Sequence, residues 1–172
     1  MSGINKGLLE KIKKIKMLIM DVDGTLTDGK IYLGNNGEEM KAFDVKDGLG
    51  LVFLHQSGIV PVIITGRESN IVRDRARELS IKEVYQGIKD KLGVYDQLKE
   101  KYGFRDEEIG FIGDDLNDLP ILERVGVSFI VNDGAEVIKG TCDYCCNKNG
   151  GEGAVREVID LILNAKTDEK GS

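Results

Sequence analysis

The sequence predicts an α/β protein in which helices cover both faces of a mostly parallel sheet. Short apolar runs such as Met17–Met20 and Val60–Ile64 alternate with longer amphipathic segments, as is typical of parallel strands joined by crossover helices. Each run is apolar at consecutive positions, which indicates a strand that is buried on both faces. The expected architecture is therefore a Rossmann-like three-layer sandwich.

The elements follow one another in a regular order. Apolar residues from Leu8 to Ile15 recur at helical spacing between lysines and predict an amphipathic helix before the first strand. By the same criteria we predict further strands at 60–64, 83–85, 109–112, 127–131 and 141–146, and further helices at 47–56, 70–79, 89–102, 116–125, 135–139 and 154–165.

A β-hairpin is predicted at about 30–43, directly after the first strand and its turn. Two strand-like runs flank the dipeptide Asn36-Gly37, which is a strong signal for a two-residue hairpin turn. The hairpin should project from the sheet near the end of the first strand. It is either a plain surface hairpin or a functional one, which would serve as a flap or as an oligomer contact.

The length and charge limit what the chain can be. Its 172 residues fit a single domain at 1–172, with a core at about 4–165 and a flexible polar tail at 167–172. The net charge of −6 argues against nucleic acid or an anionic membrane as a partner. Without a long apolar run or a signal-type segment, the expected location is the cytoplasm.

Three cysteines lie close together at Cys142, Cys145 and Cys146. An odd, clustered set does not form a disulfide framework. A zinc site that includes His55 is a weaker alternative because a second well-spaced pair of ligands is missing. We therefore expect buried thiols in a strand.

Three of the predicted strands end in polar sequences, which are Asp21-Val22-Asp23, Thr65-Gly66-Arg67 and Gly113-Asp114-Asp115. The carboxyl ends of parallel strands meet at one edge of a sheet, where ligands bind. Asp21, Asp23 and Asp114 would offer the hard oxygen ligands that suit Mg²⁺. Each signal alone is also explained by a turn that caps a strand, but their common position favours a phosphate site.

The order of these signals resembles the four signature motifs of the haloacid dehalogenase-like phosphohydrolases. The motifs are Asp21-Val22-Asp23-Gly24-Thr25, Thr65, Lys91 and Gly113-Asp114-Asp115-Leu116-Asn117-Asp118. A closer resemblance, to the 3-deoxy-D-manno-octulosonate 8-phosphate (Kdo 8-phosphate) phosphatase family, rests on Asp28-Gly29, Asp47-Gly48, Tyr85-Gln86-Gly87 and the run at 150–157.

The resemblance implies a Mg²⁺-dependent hydrolase that cleaves a sugar-acid phosphate in two steps. Asp21 would be the nucleophile, which forms an aspartyl-phosphate, and Asp23 the general acid and base. The implied metal ligands are Asp21, Asp114 and the main-chain carbonyl of Asp23, oriented by Asp115 and Asp118. The implied substrate-binding residues are Thr65, Gly66, Arg67 and Lys91.

The intervals between the motifs are too short for a cap domain. Between Asp21 and Thr65 there is room for the hairpin and one helix, and between Thr65 and Lys91 for a helix and a short strand. A neighbouring subunit must then exclude water from the site. The resemblance implies a homotetramer.

Two alternatives remain open. Some members of the family carry a basic residue where this chain has Glu152, so the phosphate of a related nine-carbon keto-sugar acid is a second candidate substrate. A non-catalytic oligomerisation module is a third possibility, although every motif residue is present. A phosphoaspartyl receiver domain has its motifs in another order, and a phosphomutase needs a cap.

Overall fold

The computed structural model describes residues 4–35 and 39–167 and confirms the predicted fold class. Six parallel strands form one sheet in the order β5-β4-β1-β6-β7-β8, and β2 and β3 form a separate antiparallel hairpin. The strands are β1 (Met17–Met20), β2 (Tyr32–Leu33), β3 (Glu39–Met40), β4 (Val60–Ile64), β5 (Glu83–Tyr85), β6 (Ile109–Gly113), β7 (Val127–Ile130) and β8 (Tyr144–Cys145).

The helices lie on both faces of the large sheet. They are α1 (Lys6–Lys13), α2 (Val45–Gln56), α3 (Asn70–Glu78), α4 (Lys91–Tyr102), α5 (Leu119–Leu122), α6 (Glu136–Lys139) and α7 (Ala154–Thr167). Side chains of α1, α2, α3 and α7 form one apolar core with the sheet, and those of α4, α5 and α6 form the other. Among the described residues, no helix has the length and apolar character that a membrane span requires.

The central strand is β1, which pairs in parallel with β4 on one side and β6 on the other. All four of its residues are fully buried, which explains why the strand is apolar at every position. This arrangement brings the residues that follow β1, β4 and β6 to one edge of the sheet. The expected convergence of the polar strand ends is thereby fulfilled.

Helix boundaries differ from the prediction where a side chain caps the helix. Asp44 accepts from the backbone N–H of Lys46, so α2 begins at Val45, two residues before the expected start. Asp90 accepts from Gly93 N–H, so α4 begins at Lys91, near which the predicted helix at 89–102 is expected to open. In both helices the carboxylate satisfies an N–H that lacks an intrahelical partner.

The predicted helix at 116–125 is wrong in its extent. A 3₁₀ turn at Leu116–Asp118 is followed by the short helix α5. Asp115 caps the turn by accepting from Leu116 N–H. Pro120 has no N–H to donate, and the side chain of Asp118 is fully buried and bonds towards the site. The burial of Asp118 and the missing N–H of Pro120 therefore explain why the segment is a 3₁₀ turn and a short helix instead of one long helix.

The hairpin is present but its strands are only two residues each, so they are shorter than predicted. Its turn dipeptide, Asn36-Gly37, and the tail after Thr167 lie outside the described residues. Tyr32, Leu33 and Met40 are exposed on the hairpin, whereas Phe43 packs against the core.

The three thiols are free, and only Cys146 is buried as predicted. Cys142 is half-buried and Cys145 is exposed, because β8 is a two-residue strand at the edge of the sheet. Within residues 4–35 and 39–167, neither the cysteines nor His55 belong to a cluster with metal-binding spacing.

Asp47 joins α2 to the start of α7. Its Oδ1 atom accepts from Arg156 N–H at 2.7 Å, while its buried Oδ2 atom has no hydrogen-bond partner within residues 4–35 and 39–167. Burial raises the pKa of Asp47 from 3.8 to about 6, although the Arg156 N–H acts in the opposite direction. The folded protein therefore holds the Asp47 proton more tightly than the unfolded chain does. Its ionisation destabilises the fold above about pH 6 and costs nothing below the unfolded value.

We expect Asp47→Asn to raise the free energy of unfolding at pH 8 by about 2 kcal/mol, and by much less near pH 4. The amide keeps an oxygen that accepts from Arg156 N–H but carries no buried charge. Urea unfolding at both pH values measures the difference, with the exposed Asp96→Asn as a control. A stability change that is the same at both pH values would contradict the burial argument.

Candidate active site

The site is built around Asp21, the first residue after β1. Its side chain is almost fully buried, and its Oδ1 atom accepts from Val22 N–H at 2.7 Å. Gly24 then turns the chain with a φ of +90°, and a Cβ atom at this position would lie 2.1 Å from Asp114 Oδ2. The turn therefore requires glycine, both for its backbone conformation and for the close approach of Asp114.

Two carboxylates from the segment after β6 lie beside Asp21. One oxygen each from Asp21, Asp114 and Asp118 lies within 4.8 Å of the others. Lys91, the first residue of α4, is buried among them, with Nζ 3.0 Å from Asp21 Oδ2 and 2.6 Å from Asp118 Oδ1. Two of the three carboxylates, those of Asp21 and Asp118, thus pair with one buried ammonium group.

The crowding changes the proton affinities of these groups. Burial, and then the charge of Asp118, raise the pKa of Asp21 to about 6, against the opposing effect of Lys91. Burial and the neighbouring carboxylates raise the pKa of Asp114 to about 7. Burial alone would lower the pKa of Lys91, but the charges of Asp21 and Asp118 outweigh it and raise the value.

These residues fit a divalent cation. The carboxylates of Asp21 and Asp114 are hard oxygen donors in a buried space with an excess of negative charge, which suits Mg²⁺. A cation bound here would relieve the repulsion among the carboxylates, which is the second cause of the raised pKa values after burial.

Asp118 and Asp115 differ in what they touch. Asp118 accepts from Lys91 Nζ with one oxygen and from Asp114 N–H, at 3.1 Å, with the other. Both oxygens are therefore engaged in holding two other site residues. Asp115 is exposed, caps the 3₁₀ turn and contributes to the site through its charge on Asp114.

The Thr65-Gly66-Arg67 sequence follows β4 at the same edge. Thr65 is buried and its backbone bonds Tyr85 O and Ile88 N–H. Gln86 accepts from Ser69 N–H at 2.8 Å, so the Tyr85-Gln86-Gly87 sequence fixes the far side of this loop. Gly66 and Arg67 are exposed, where they can meet an incoming ligand.

Asp23 lies apart from the carboxylate cluster and between two cations. Its Oδ1 atom accepts from Nζ of Lys41, and its Oδ2 atom is 3.8 Å from Arg67 Nε. Sequence reasoning missed Lys41, since a lysine in a predicted hairpin strand normally faces solvent. Here its side chain is fully buried.

The glycine-rich run at 150–153 packs on the turn that follows Asp21. Gly151 N–H donates to Thr25 O at 3.0 Å, and a Cβ atom on Gly150 would clash with Gly24 O. Glycine at 150 therefore allows the two backbones to touch. Glu152 is nearby and accepts from Asn149 Nδ2.

Together, the parallel sheet and the acidic cluster at the end of its central strand define a hydrolase of the haloacid dehalogenase-like class. Residues 80–159 match the family of haloacid dehalogenase-like hydrolases. The chain is also 45% identical to the Kdo 8-phosphate phosphatase KdsC of Escherichia coli K12, in an alignment that covers 96% of this chain and 89% of that protein.

Solved structures agree with this class. The crystal structure of the Yersinia pestis Kdo 8-phosphate phosphatase has a TM-score of 0.93 and 43% identity, covering 96% of this chain and 90% of that one. The Moraxella catarrhalis enzyme, crystallised with magnesium, phosphate and Kdo, has a TM-score of 0.92 and 45% identity, covering 96% and 95%. The chain belongs to the Kdo 8-phosphate phosphatase family.

Proposed function

We propose that this protein is a Mg²⁺-dependent phosphomonoesterase that hydrolyses Kdo 8-phosphate to Kdo and phosphate. The observation that carries the proposal is the buried Asp21 carboxylate, which Lys91 holds beside Asp114 and Asp118 in a chain of this family. Mg²⁺ held by the carboxylates of Asp21 and Asp114 and the main-chain carbonyl of Asp23 would supply Lewis-acid stabilisation of the phosphoryl oxygens.

The side chains divide the reaction between them. Asp21 attacks phosphorus and forms an aspartyl-phosphate, while Asp23 gives a proton to the departing sugar oxygen. Water, deprotonated by Asp23, then attacks the phosphorus and releases phosphate and Asp21. Lys91 keeps the nucleophile in place and offsets negative charge that develops on the phosphoryl group.

The polar loop after β4 would bind the rest of the substrate. Thr65 and the Gly66 amide would hold phosphoryl oxygens, and the exposed Arg67 would pair with the acid group of the sugar. Asp115 and Asp118 would orient the metal-binding carboxylate and its surroundings. Asp118 is well suited to this role because it bonds both Lys91 and Asp114 N–H.

Phosphate release with Mg²⁺ present tests the substrate assignment. We expect kcat/KM for Kdo 8-phosphate to exceed that for a nine-carbon keto-sugar acid 9-phosphate and for glucose 6-phosphate by about tenfold or more. EDTA should abolish turnover, and added Mg²⁺ should restore it.

The same measurement separates the alternatives. A higher kcat/KM for the nine-carbon substrate would favour the second candidate, which stays open because residue 152, before α7, is an acid. Complete inactivity towards all three phosphates would instead indicate a non-catalytic oligomerisation module. Against the latter stands the complete set of site residues.

We also infer that the chain forms a homotetramer in which a neighbouring subunit covers the site. Three exposed apolar residues of the hairpin, Tyr32, Leu33 and Met40, support this. Helix α2 adds an exposed apolar stripe, because Val45, Leu49 and Phe53 recur every four residues. The three free thiols are in keeping with the reducing cytoplasm as the predicted location.

Replacement of Tyr32, Leu33 and Met40 by serine tests the role of the hairpin. We expect a smaller assembly by light scattering and a loss of about tenfold or more in kcat/KM for Kdo 8-phosphate, with a smaller loss for p-nitrophenyl phosphate. The reason is that contacts remote from phosphorus help only a substrate that reaches them. This triple variant is preferable to deletion of the hairpin, which would also remove Lys41.

Val137→Ser is the matched control, since Val137 is an exposed apolar residue on α6. It should change neither the assembly nor the activity. If the triple variant keeps its native assembly and its preference for Kdo 8-phosphate, the exposed hairpin residues contribute neither to assembly nor to substrate selection.

A further inference from the structure

The side chain of Lys41 is buried, although the hairpin residue before it is exposed. Lys41 directly follows β3, where the preceding residue Met40 is 65% exposed. The Lys41 side chain nevertheless has no exposed surface and donates from Nζ to Asp23 Oδ1. The chain thus turns from the solvent-facing hairpin directly into the site at this residue.

Burial of the Lys41 ammonium group costs hydration free energy, which suggests that the group has a function. A buried ammonium loses its hydration, and the attraction of a neighbouring carboxylate often does no more than offset that loss. Stability alone is therefore a weak explanation for the Lys41–Asp23 pair. By contrast, the pair has a clear geometric effect, because a donor on Oδ1 restricts the rotation of the Asp23 carboxylate.

Arg67 cannot supply the same restraint. Its Nε atom is 3.8 Å from Asp23 Oδ2, beyond hydrogen-bonding distance, and its side chain is 49% exposed. Arg67 is also the residue that would move to meet the substrate. Of the two cations beside Asp23, Lys41 is therefore the one fixed by its surroundings.

We propose that Lys41 is a positioning residue that holds Asp23 in the orientation from which it exchanges protons with the leaving oxygen and with water. The proposal rests on the proposed phosphatase function and adds a residue that the signature motifs do not contain. The hairpin would then have a second function, because Met40 at the end of β3 is exposed whereas Lys41, the next residue, contacts Asp23.

Leaving-group dependence distinguishes this role from a structural one. Proton donation matters for an alkyl oxygen and much less for p-nitrophenolate. We expect Lys41→Met to lower kcat/KM, which reports on the first step alone, by about 10- to 100-fold for Kdo 8-phosphate and by less than about threefold for p-nitrophenyl phosphate. Lys41→Arg should recover part of the loss. Lys30→Met, which removes an exposed lysine of the same hairpin region, should leave both rates unchanged.

A double-mutant cycle tests whether Lys41 acts through Asp23. With Asp23→Asn in place, Lys41→Met should lower kcat for Kdo 8-phosphate by less than about twofold, because residues that act as one unit are not additive. Light scattering and the melting temperature of each variant report on assembly and folding.

Several results would overturn the proposal. These are an equal loss in kcat/KM for both leaving groups, additive losses in the cycle, or a rise in KM for Kdo 8-phosphate with kcat unchanged, which would make Lys41 a substrate ligand. A Lys41→Met or Lys41→Arg protein that loses its assembly would assign the lysine to hairpin structure instead. A wild-type protein inactive on both phosphates would overturn the proposed function itself, whereas an active wild type with an unaffected Lys41→Met overturns this proposal alone.

Discussion

Asp21→Asn should abolish phosphate release from Kdo 8-phosphate and from p-nitrophenyl phosphate alike, by about four orders of magnitude or more. The amide keeps the shape of the side chain, and its oxygen can still accept from Val22 N–H. It is a poor nucleophile, however, and a weaker metal ligand than a carboxylate. Because both substrates must form the aspartyl-phosphate, neither should escape the loss.

Three measurements make this test decisive. Circular dichroism and light scattering should show the native fold and assembly, since only one atom of a buried side chain is changed. The rise in melting temperature that Mg²⁺ produces should shrink, because one of its proposed ligands is weakened. Asp96→Asn, which changes an exposed carboxylate of α4, should retain full activity. Substantial turnover by Asp21→Asn would rule out Asp21 as the nucleophile.

The fold was predictable because its strongest signal is local. The strands of a parallel sheet are buried on both faces, so β1, β4 and β6 appear in the sequence as continuous apolar runs. Their central place in the sheet follows from the crossover helices between them. The ends of elements were less predictable, since capping by Asp44, Asp90 and Asp115 depends on side-chain geometry.

The acidic cluster was predictable in its members but not in its bonding. Strand order brings Asp21 and Asp114 together, yet spacing does not reveal that Asp118 would bond both Lys91 and Asp114 N–H. That contact requires the break in the predicted helix at 116–125, which Pro120 and the burial of Asp118 explain. Local pattern and site geometry conflict here, as is common where function constrains a segment.

The contact between Lys41 and Asp23 could not be predicted from the sequence, for a different reason. This contact joins residues 18 positions apart through a hairpin whose strands have only two residues each. Nothing in a hairpin pattern tells which of its lysines faces solvent. Lys30 and Lys41 lie at opposite ends of this hairpin, but only the side chain of Lys41 is buried.

Asp23→Asn should slow the enzyme in a way that depends on the leaving group. For Kdo 8-phosphate the departing oxygen is an alkoxide, so loss of the proton donor should lower the rate of the first step by about 10²- to 10⁴-fold. For p-nitrophenyl phosphate the departing phenolate needs little protonation, and the first step should be much less affected.

The second step, hydrolysis of the aspartyl-phosphate, is common to both substrates and lacks its general base in this variant. With p-nitrophenyl phosphate, Asp23→Asn should therefore release a burst of about one p-nitrophenolate per site, followed by slow turnover. Rapid-mixing absorbance measures the burst, and acid-quenched protein should carry the trapped phosphate. Asp74→Asn, at an exposed carboxylate of α3, should show wild-type kinetics. Equal losses for the two leaving groups, without a burst, would contradict the assignment of both proton transfers to Asp23.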